Sequence, residues 1–108
     1  MSWLEYHELS EQYAIQAERL SMQGQHNRAI ELYCLAAKSE EKALEALPPN
    51  KTRTIGVTAV SSASLYFKAR EFKQAKRVAH NFLTTELLPL FAVEQLEELI
   101  RAMEQRKD

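Results

Sequence analysis

The segment AERLSMQGQHNRAIELYCLA, residues 17–36, decides the fold because its spacing of small and large apolar residues recurs at residues 63–82. In both copies the key positions are separated by 3, 4, 5, 4 and 3 residues. Those positions are, in the first copy, Ala17, Leu20, Gly24, Ala29, Tyr33 and Ala36, and in the second, Ala63, Tyr66, Arg70, Ala75, Ala79 and Phe82. Such a repeated spacing is typical of helices that cross closely. The sequence therefore predicts an all-α fold with two stacked helical hairpins.

Local signals divide the 108 residues into five predicted helices within one domain. The residues from Ser2 to Glu5 fit a capping box at the start of the first helix, and Gly24 is suited to end it. The other helices are expected at about 27–47, 52–69, 71–88 and 91–105, with Asn50 or Thr52 capping the third and prolines 48, 49 and 89 as breaks. Hairpin one then covers about residues 2–47, hairpin two covers about 52–88, and the helix at about 91–105 caps the stack.

The formal net charge is −1, but it is unevenly distributed. Residues 51–80 contain seven basic groups and one acidic group, and the segments on both sides are net acidic. A nearly neutral chain creates no overall field that would attract nucleic acid or a membrane surface. No apolar run approaches the roughly 20 residues that span a bilayer, and the first residues lack the pattern of a signal peptide. We therefore expect a cytoplasmic protein that binds neither nucleic acid nor membrane.

The residue types that usually carry enzymatic chemistry do not cluster in this sequence. Of the three histidines, only His7 has a carboxylate, Glu11, at helical spacing, and we interpret the two as a solvated pair. Cys34, the single cysteine, lies in an apolar run and is expected to be buried as a small hydrophobic residue. No glycine-rich phosphate loop, serine elbow or Cys/His dyad is present. The sequence predicts a protein that is not an enzyme and holds no metal or cofactor.

Two adjacent carboxylates, Glu40 and Glu41, could suggest acid–base chemistry. Lys38 and Lys42 alternate with them along the predicted second helix. Opposite charges three and four residues apart are typical of an exposed helix face. We therefore expect both carboxylates to be solvated.

The repeated hairpins resemble tetratricopeptide repeats, a family of paired helices. The resemblance covers about residues 10–88, and Tyr13 and Phe72 stand at further aromatic positions of that pattern. It departs at Arg70, where Gly is usual, and at Ala79, where an aromatic residue is usual. The resemblance implies a right-handed stack of antiparallel hairpins that acts as a protein-interaction module.

The spacing between the two copies differs from that family. Ala29 and Ala75 are 46 residues apart, whereas tetratricopeptide repeats recur at about 34. We place the excess in an elongated second helix and the loop after it. Because two repeats are fewer than the three or so usually needed for stability, either the long and fifth helices complete the core or the chain forms a homodimer.

The resemblance also implies that the first helix of each hairpin lines a groove for a partner peptide. On the third helix these positions would be Val60, Ser64, Phe67 and Lys68, and the family's Lys and Asn clamp for a terminal carboxylate is absent. The basic residues of the second hairpin could steer an acidic protein or peptide partner, or could simply be a soluble face. The candidate partner-binding residues are therefore Val60, Ser64, Phe67, Lys68, Lys73, Lys76 and Arg77.

A second resemblance is to the microtubule-interacting and trafficking domain, a three-helix relative of this fold. The first copy, which ends in a long helix, is similar to it. The repeated Phe72 and Ala75 signature in the fourth helix favours the tetratricopeptide reading, because a lone three-helix domain does not require it.

Overall fold

The computed structural model describes residues 1–106, and no strand occurs within that range. Its elements are α1 (Trp3–Met22), α2 (His26–Glu45), α3 (Thr52–Lys68), α4 (Phe72–Leu83) and α5 (Leu90–Glu104). The predicted all-α class and the number of helices are confirmed. The predicted bounds of the second, third and fifth helices are correct to within two residues.

The helices pack in chain order. α2 lies between α1 and α3, α3 packs against α4, and α5 contacts both α3 and α4. The molecule measures 40 × 36 × 18 Å. Because one helix with its side chains is about 10–12 Å across, the shortest dimension corresponds to two helix layers.

The contacts between helices depend on buried alanines. Ala29 and Ala75, one from each copy of the repeated pattern, are only 2% and 0% exposed. Small side chains at a crossing allow two helix axes to approach closely. The other signature positions follow the same scheme: Ala17, Ala36, Ala63, Tyr66 and Ala79 are buried, and Tyr13, Leu20, Tyr33, Phe72 and Phe82 are half-buried.

The two turns inside the hairpins have the same backbone hydrogen bonds. In the first turn the Gln25 N–H donates to the Leu20 carbonyl at 2.9 Å, and in the second the Glu71 N–H donates to the Tyr66 carbonyl at 2.9 Å. A bond of this kind over a left-handed residue is a Schellman motif. The left-handed residue is Gly24 in the first turn, with φ 80°, and Arg70 in the second, with φ 59°. The sequence departs from the pattern at Arg70, but the backbone does not.

Two of the predicted helix ends are correct in detail. The Ser2 hydroxyl accepts from the Glu5 N–H, and the Glu5 carboxylate accepts from the Ser2 N–H, so the capping box is confirmed. The left-handed Gly24 ends the first hairpin's opening helix as expected. The cap predicted for α3 is wrong, because Lys51 occupies the N-cap position and no side chain caps that end.

The predicted extension of the fourth helix to residue 88 is also wrong, because α4 ends at Leu83. The hydroxyls of Thr84 and Thr85 donate to the carbonyls of Asn81 and Phe82, and so satisfy acceptors of the last turn without further helix. Glu86 then adopts a left-handed φ of 59°, which turns the chain toward α5. At 12 residues α4 is much shorter than the 20-residue α2.

Serine hydroxyls connect α2 to the helices on both sides. From α1, the Ser10 hydroxyl donates to the Ala36 carbonyl at 2.9 Å, and in return the Ser39 hydroxyl donates to the Tyr6 carbonyl at 2.8 Å. From α3, the Ser62 hydroxyl donates to the Ala37 carbonyl at 3.4 Å. Within residues 1–106 no buried side-chain nitrogen or oxygen lacks a hydrogen-bond partner.

The fifth helix covers one side of the second hairpin. Leu96, Ile100 and Met103 are buried in the core that α2, α3 and α4 share. Gly56 of α3 permits the close approach of the chain around the start of α5. A Cβ atom added at Gly56 would lie 3.0 Å from the Ala92 Cβ and 3.0 Å from the Pro89 Cδ.

Candidate interaction surfaces

A shallow groove runs between α3 and α5. It has a volume of about 590 Å³, and the residues around it are Val60, Ser64, Gln95, Glu98, Leu99 and Ala102. The structure therefore places Val60 and Ser64, two of the predicted binding residues, together at one groove. Its second wall is α5, which the sequence predicted only as a cap.

Phe67, the third groove residue predicted from the sequence, belongs to the edge of the core. Its ring meets the Phe72 ring edge to face, with centroids 5.5 Å apart. Edge-to-face packing adds about 0.5–1.5 kcal/mol to the burial of such a pair. This contact joins the end of α3 to the start of α4, and it leaves Phe67 only partly exposed.

A second hollow, which we call the turn pocket, lies where the two hairpin turns meet. Its volume is about 200 Å³, and the residues that line it are Ser21, His26, Ala29, Ile30, Tyr33, Lys68 and Arg70. The Lys68 Nζ lies 5.7 Å from the centroid of the Tyr33 ring, within the range of a cation–π interaction. Burial, and secondarily the charge of Glu18, raise the pKa of the Tyr33 phenol, so the phenol carries its proton.

The predicted cations of α4 differ in their surroundings. Lys73 is exposed and Lys76 is partly exposed, and neither forms an ion pair with any acidic residue among residues 1–106. Arg77 instead donates from Nη1 and Nη2 to the two carboxylate oxygens of Glu41, at 2.7 and 2.8 Å. The charge of Arg77 is thus already matched within the chain.

Glu41 also receives a hydrogen bond from Tyr66, whose hydroxyl donates at 2.7 Å. The hydrogen bonds from Arg77, with that of Tyr66, lower the pKa of the Glu41 carboxyl, although burial opposes them. Burial and the bond to Glu41 raise the pKa of Tyr66. This cluster links α2, α3 and α4, so the expectation of a solvated Glu41 is wrong.

Glu40 is even less exposed, at 2%, and the prediction that it is solvated is wrong as well. His7 lies between two carboxylates: its Nδ1 is 2.9 Å from Glu40 Oε1, and its Nε2 is 3.0 Å from Glu11 Oε1. The Trp3 ring stacks on the His7 ring at 4.8 Å, and the Trp3 indole N–H donates to the Thr58 hydroxyl. Glu40 and His7 are 33 residues apart on different helices, so no local spacing signals their contact.

The protonation of His7 follows from these neighbours. Burial lowers the pKa of the imidazole, but the hydrogen bond and charge of Glu40, together with those of Glu11, raise it by more. The net pKa therefore lies above the usual 6.5. Because the two carboxylates bind opposite ring nitrogens, they do not converge on one point. In the described part of the chain no group of three or more His, Cys, Asp or Glu side chains could hold a metal ion.

Two further features complete the surface. Cys34 is only partly buried and lines a hollow beside Tyr66, Glu71 and Gln74. An apolar recess of about 230 Å³ lies between the loop after α2 and the end of α4, lined by Leu44, Leu47, Pro49, Thr52, Ile55, Phe82, Thr85 and Leu87.

None of the helices in residues 1–106 combines the length and the apolar character that crossing a bilayer requires.

The described residues thus define an all-α protein of five helices whose surface carries a groove and a cationic turn pocket. Comparison of the chain with protein-family models, with curated proteins and with solved structures found no match.

Proposed function

We propose that this chain is a non-enzymatic, tetratricopeptide-like interaction module. Three features of the fold support this proposal. The two hairpin turns have the same hydrogen bonds, the alanines at matching positions are buried, and α2 packs between α1 and α3. α4 and α5 add Val78 and Leu96 to the same core, which favours this reading over a lone three-helix trafficking domain.

The partner we propose is an acidic segment of another protein. The single observation that carries this proposal is a set of basic side chains around the second turn that have no ion pair with any described acidic residue: Lys68, Arg70, Lys73 and Lys76. Arg77 is the contrasting case, because its guanidinium is paired within the chain and donates two hydrogen bonds to the Glu41 carboxylate. Unmatched surface cations attract acidic partners and accelerate their association.

An acidic peptide fits this surface better than nucleic acid does. The net charge of the chain is −1, whereas nucleic-acid-binding domains usually carry a basic excess over a broad face. The α3–α5 groove, which contains Glu98 as well as Leu99, would receive the less charged part of the bound segment.

A binding measurement with a defined probe tests the proposal. A fluorescent Glu-rich peptide should bind the wild-type chain in low salt and lose affinity as salt rises, because exposed charge pairs are screened. The double variant Lys73→Glu/Lys76→Glu should weaken binding by about tenfold or more. The control Lys42→Glu/Lys51→Glu makes the same change of charge at exposed positions elsewhere. If both double variants lost the same amount of peptide affinity, the loss would be explained by net charge alone, and the proposed surface would be refuted.

Self-association is a second candidate function, and one observation favours it. Leu4, Ile15 and Met22 are 53%, 51% and 82% exposed. Their spacings of 11 and 7 residues place them on one side of α1, away from the α2 contact. An apolar stripe on the outer helix of a stack is where a second copy could pack.

Sedimentation at increasing concentration separates the two candidates. A dimer that dissociates in Ile15→Glu but persists in Leu90→Glu, a change at another exposed leucine, would support self-association through α1. A wild-type chain that stays monomeric at high concentration would exclude it.

A further inference from the structure

We propose that the turn pocket binds a phosphoryl group, presented by a phosphorylated residue of the partner segment. This inference rests on the proposed function, because it assigns one subsite of the same surface. Its support is the composition and geometry of the pocket itself.

The polar groups that line the pocket are donors or cations. Lys68 and Arg70 contribute permanent positive charge, and Ser21, His26 and Tyr33 contribute groups that can donate a hydrogen bond. No carboxylate lines the pocket. A phosphate monoester carries a charge of about −1.5 to −2 and three acceptor oxygens, which matches this set of donors better than a single carboxylate does.

One contact positions a cation before any ligand arrives, because the Lys68 ammonium lies over the face of the Tyr33 ring. At Arg70 the hydrogen bonds of the turn fix only the backbone, and the exposed guanidinium is free to turn toward the ligand. Arginine presents a planar set of N–H groups that can bind two phosphate oxygens at once. A group already positioned as Lys68 is loses little freedom when the ligand binds.

A difference between the two hairpin turns also supports a role for Arg70 in the pocket. The first turn has Gly24 at its left-handed position, whereas the second has Arg70 at the same position. A side chain in this conformation is strained, yet here it brings a guanidinium to the pocket. The charge of Glu18 acts on Tyr33, but Glu18 does not line the pocket, whose lining residues carry a net positive charge.

The size of the pocket suits the ligand. A water molecule occupies about 30 Å³ in the liquid, so about 200 Å³ accommodates a tetrahedral oxyanion and a few waters. The pocket is open to solvent through His26 and Arg70, both of which are exposed. A side chain of a bound peptide could therefore enter it without any movement of the helices.

The experiment is a titration of the full ¹⁵N-labelled chain, followed by amide shifts. The probes are one acidic peptide in three forms, with Ser, Glu or phosphoserine at a central position, and inorganic phosphate alone. We expect the phosphoserine form to bind about tenfold more tightly than the Ser form. Saturable shifts should appear at Ser21, His26 and the residues of the second turn.

Two variants isolate the pocket. Arg70→Gly removes the guanidinium but suits the left-handed turn, so the fold should be retained, and Lys68→Met removes the ammonium while keeping most of the length of the side chain. Each should abolish most of the preference for phosphoserine, whereas Lys51→Gln, a change at an exposed cation outside the proposed surface, should preserve it. Retention of that preference in both pocket variants, or equal affinity for the Ser and phosphoserine peptides together with no phosphate-induced shifts, would overturn the proposal.

The different probes distinguish a phosphopeptide from a free phosphate as the ligand, and the failure of the pocket from the failure of the proposed function. Shifts with inorganic phosphate at the same concentrations as with the phosphopeptide would support the pocket but identify a free phosphate as its ligand. Normal binding of the acidic peptide with no effect of phosphate would refute the pocket and leave the proposed function intact. Phosphate binding at the pocket without binding of any peptide form would refute the proposed function and the peptide as the source of the phosphoryl group, and would support only an anion site.

Discussion

Arg70 adopts a backbone conformation that is unfavourable for a residue with a side chain. Its φ of 59° lies in the left-handed region, where a side chain costs about 1–2 kcal/mol relative to the right-handed region. Gly avoids this cost but loses more entropy on folding. We therefore predict that Arg70→Gly raises the free energy of unfolding by about 0.5–1 kcal/mol, as measured by urea denaturation.

A matched variant separates backbone strain from the loss of the side chain. Arg70→Ala also removes the guanidinium but keeps a Cβ atom in the left-handed conformation, so it should not stabilise the protein. The reciprocal change, Gly24→Ala, introduces the same strain at φ 80°, where an added Cβ meets no atom within 4 Å. It should therefore destabilise the chain by about 1 kcal/mol through the backbone alone. Equal stability of Arg70→Gly and Arg70→Ala would contradict this account.

His7 makes the stability of the protein depend on pH near neutrality. Its pKa is higher in the folded state than the usual 6.5. Its contribution is therefore complete below pH 6.5 and is lost as the pH rises through the folded-state pKa. We predict that the stability advantage of the wild type over His7→Gln shrinks as the pH rises above about 6.5 and through the folded-state pKa, as measured by urea denaturation followed by circular dichroism.

The control for this prediction is another histidine. His80 is exposed and forms no ion pair among residues 1–106, so His80→Gln should leave the pH dependence of the wild type unchanged. A second variant, Glu40→Gln, removes the buried carboxylate that faces His7 and should flatten the same pH dependence. An unchanged slope in His7→Gln would show that His7 is not its source.

Single residues were predictable from the sequence where their signal is local. The capping box at Ser2 and the left-handed Gly24 need only neighbours in the chain. Glu40 illustrates the opposite case, because Lys38 and Lys42 suggest an exposed face whereas the contact that buries Glu40 comes from His7 on another helix. The turn pocket was missed in part for the same reason, since His26 and Arg70 both line it but are 44 residues apart in the chain.

At the scale of elements, Gly56 sets the distance between α3 and the start of α5. Replacing Gly by Ala inside a helix usually stabilises it by about 1 kcal/mol. Here the new methyl group would lie 3.0 Å from the Ala92 Cβ and from the Pro89 ring, and such overpacking costs about 1–3 kcal/mol. We predict that Gly56→Ala lowers the free energy of unfolding by about 1 kcal/mol.

Thermal and urea denaturation can check this against a neighbouring position. Val57 is 48% exposed, so Val57→Ala should change stability by only about 0.5 kcal/mol or less. If Gly56→Ala were instead more stable than the wild type, the start of α5 would have to move away from α3 without cost.

The boundaries of the elements were predictable in proportion to the sequence signal at each end. Pro48 and Pro49 mark the break after α2 correctly. At α4 the expected stop, Pro89, is six residues beyond the observed end, because Thr84, Thr85 and the left-handed Glu86 end the helix earlier. Threonine pairs and left-handed glutamates occur in many contexts, so neither is a reliable signal by itself.

At the scale of the whole molecule, α5 and the hairpins share one core. Leu96 is 0% exposed and contributes to the cluster formed by α2, α3 and α4. Truncating a fully buried leucine costs about 2–5 kcal/mol. We predict that Leu96→Ala lowers the free energy of unfolding by that amount, in a single cooperative transition with an unchanged urea m-value.

The exposed leucine at the start of the same helix is the matched control. Leu90 is 71% exposed, so Leu90→Ala should change stability by about 0.5 kcal/mol or less. Two separate transitions in the Leu96→Ala variant would show that α5 is an appendage instead of part of one folding unit.

The sequence predicts the helical class of the whole molecule well because a repeated pattern of alanines and aromatic residues allows few arrangements. It does not predict the groove between α3 and α5. The positions of Val60 and Ser64 on α3 identify one wall, but no residue near them in the sequence indicates that α5 forms the opposite wall. The arrangement of α5 depends on Gly56, Ala92 and Pro89 meeting across 33 or more residues, which is a property of the assembled fold.

The stacking of Trp3 on His7 has an optical consequence. The chain contains one tryptophan, and its indole lies parallel to the imidazole at an interplanar angle of 8°. A positive charge directly against an indole ring interacts with its π electrons, and it also quenches the excited state of the ring. The intrinsic fluorescence of the unlabelled protein is therefore a spectroscopic readout of the charge on this single histidine.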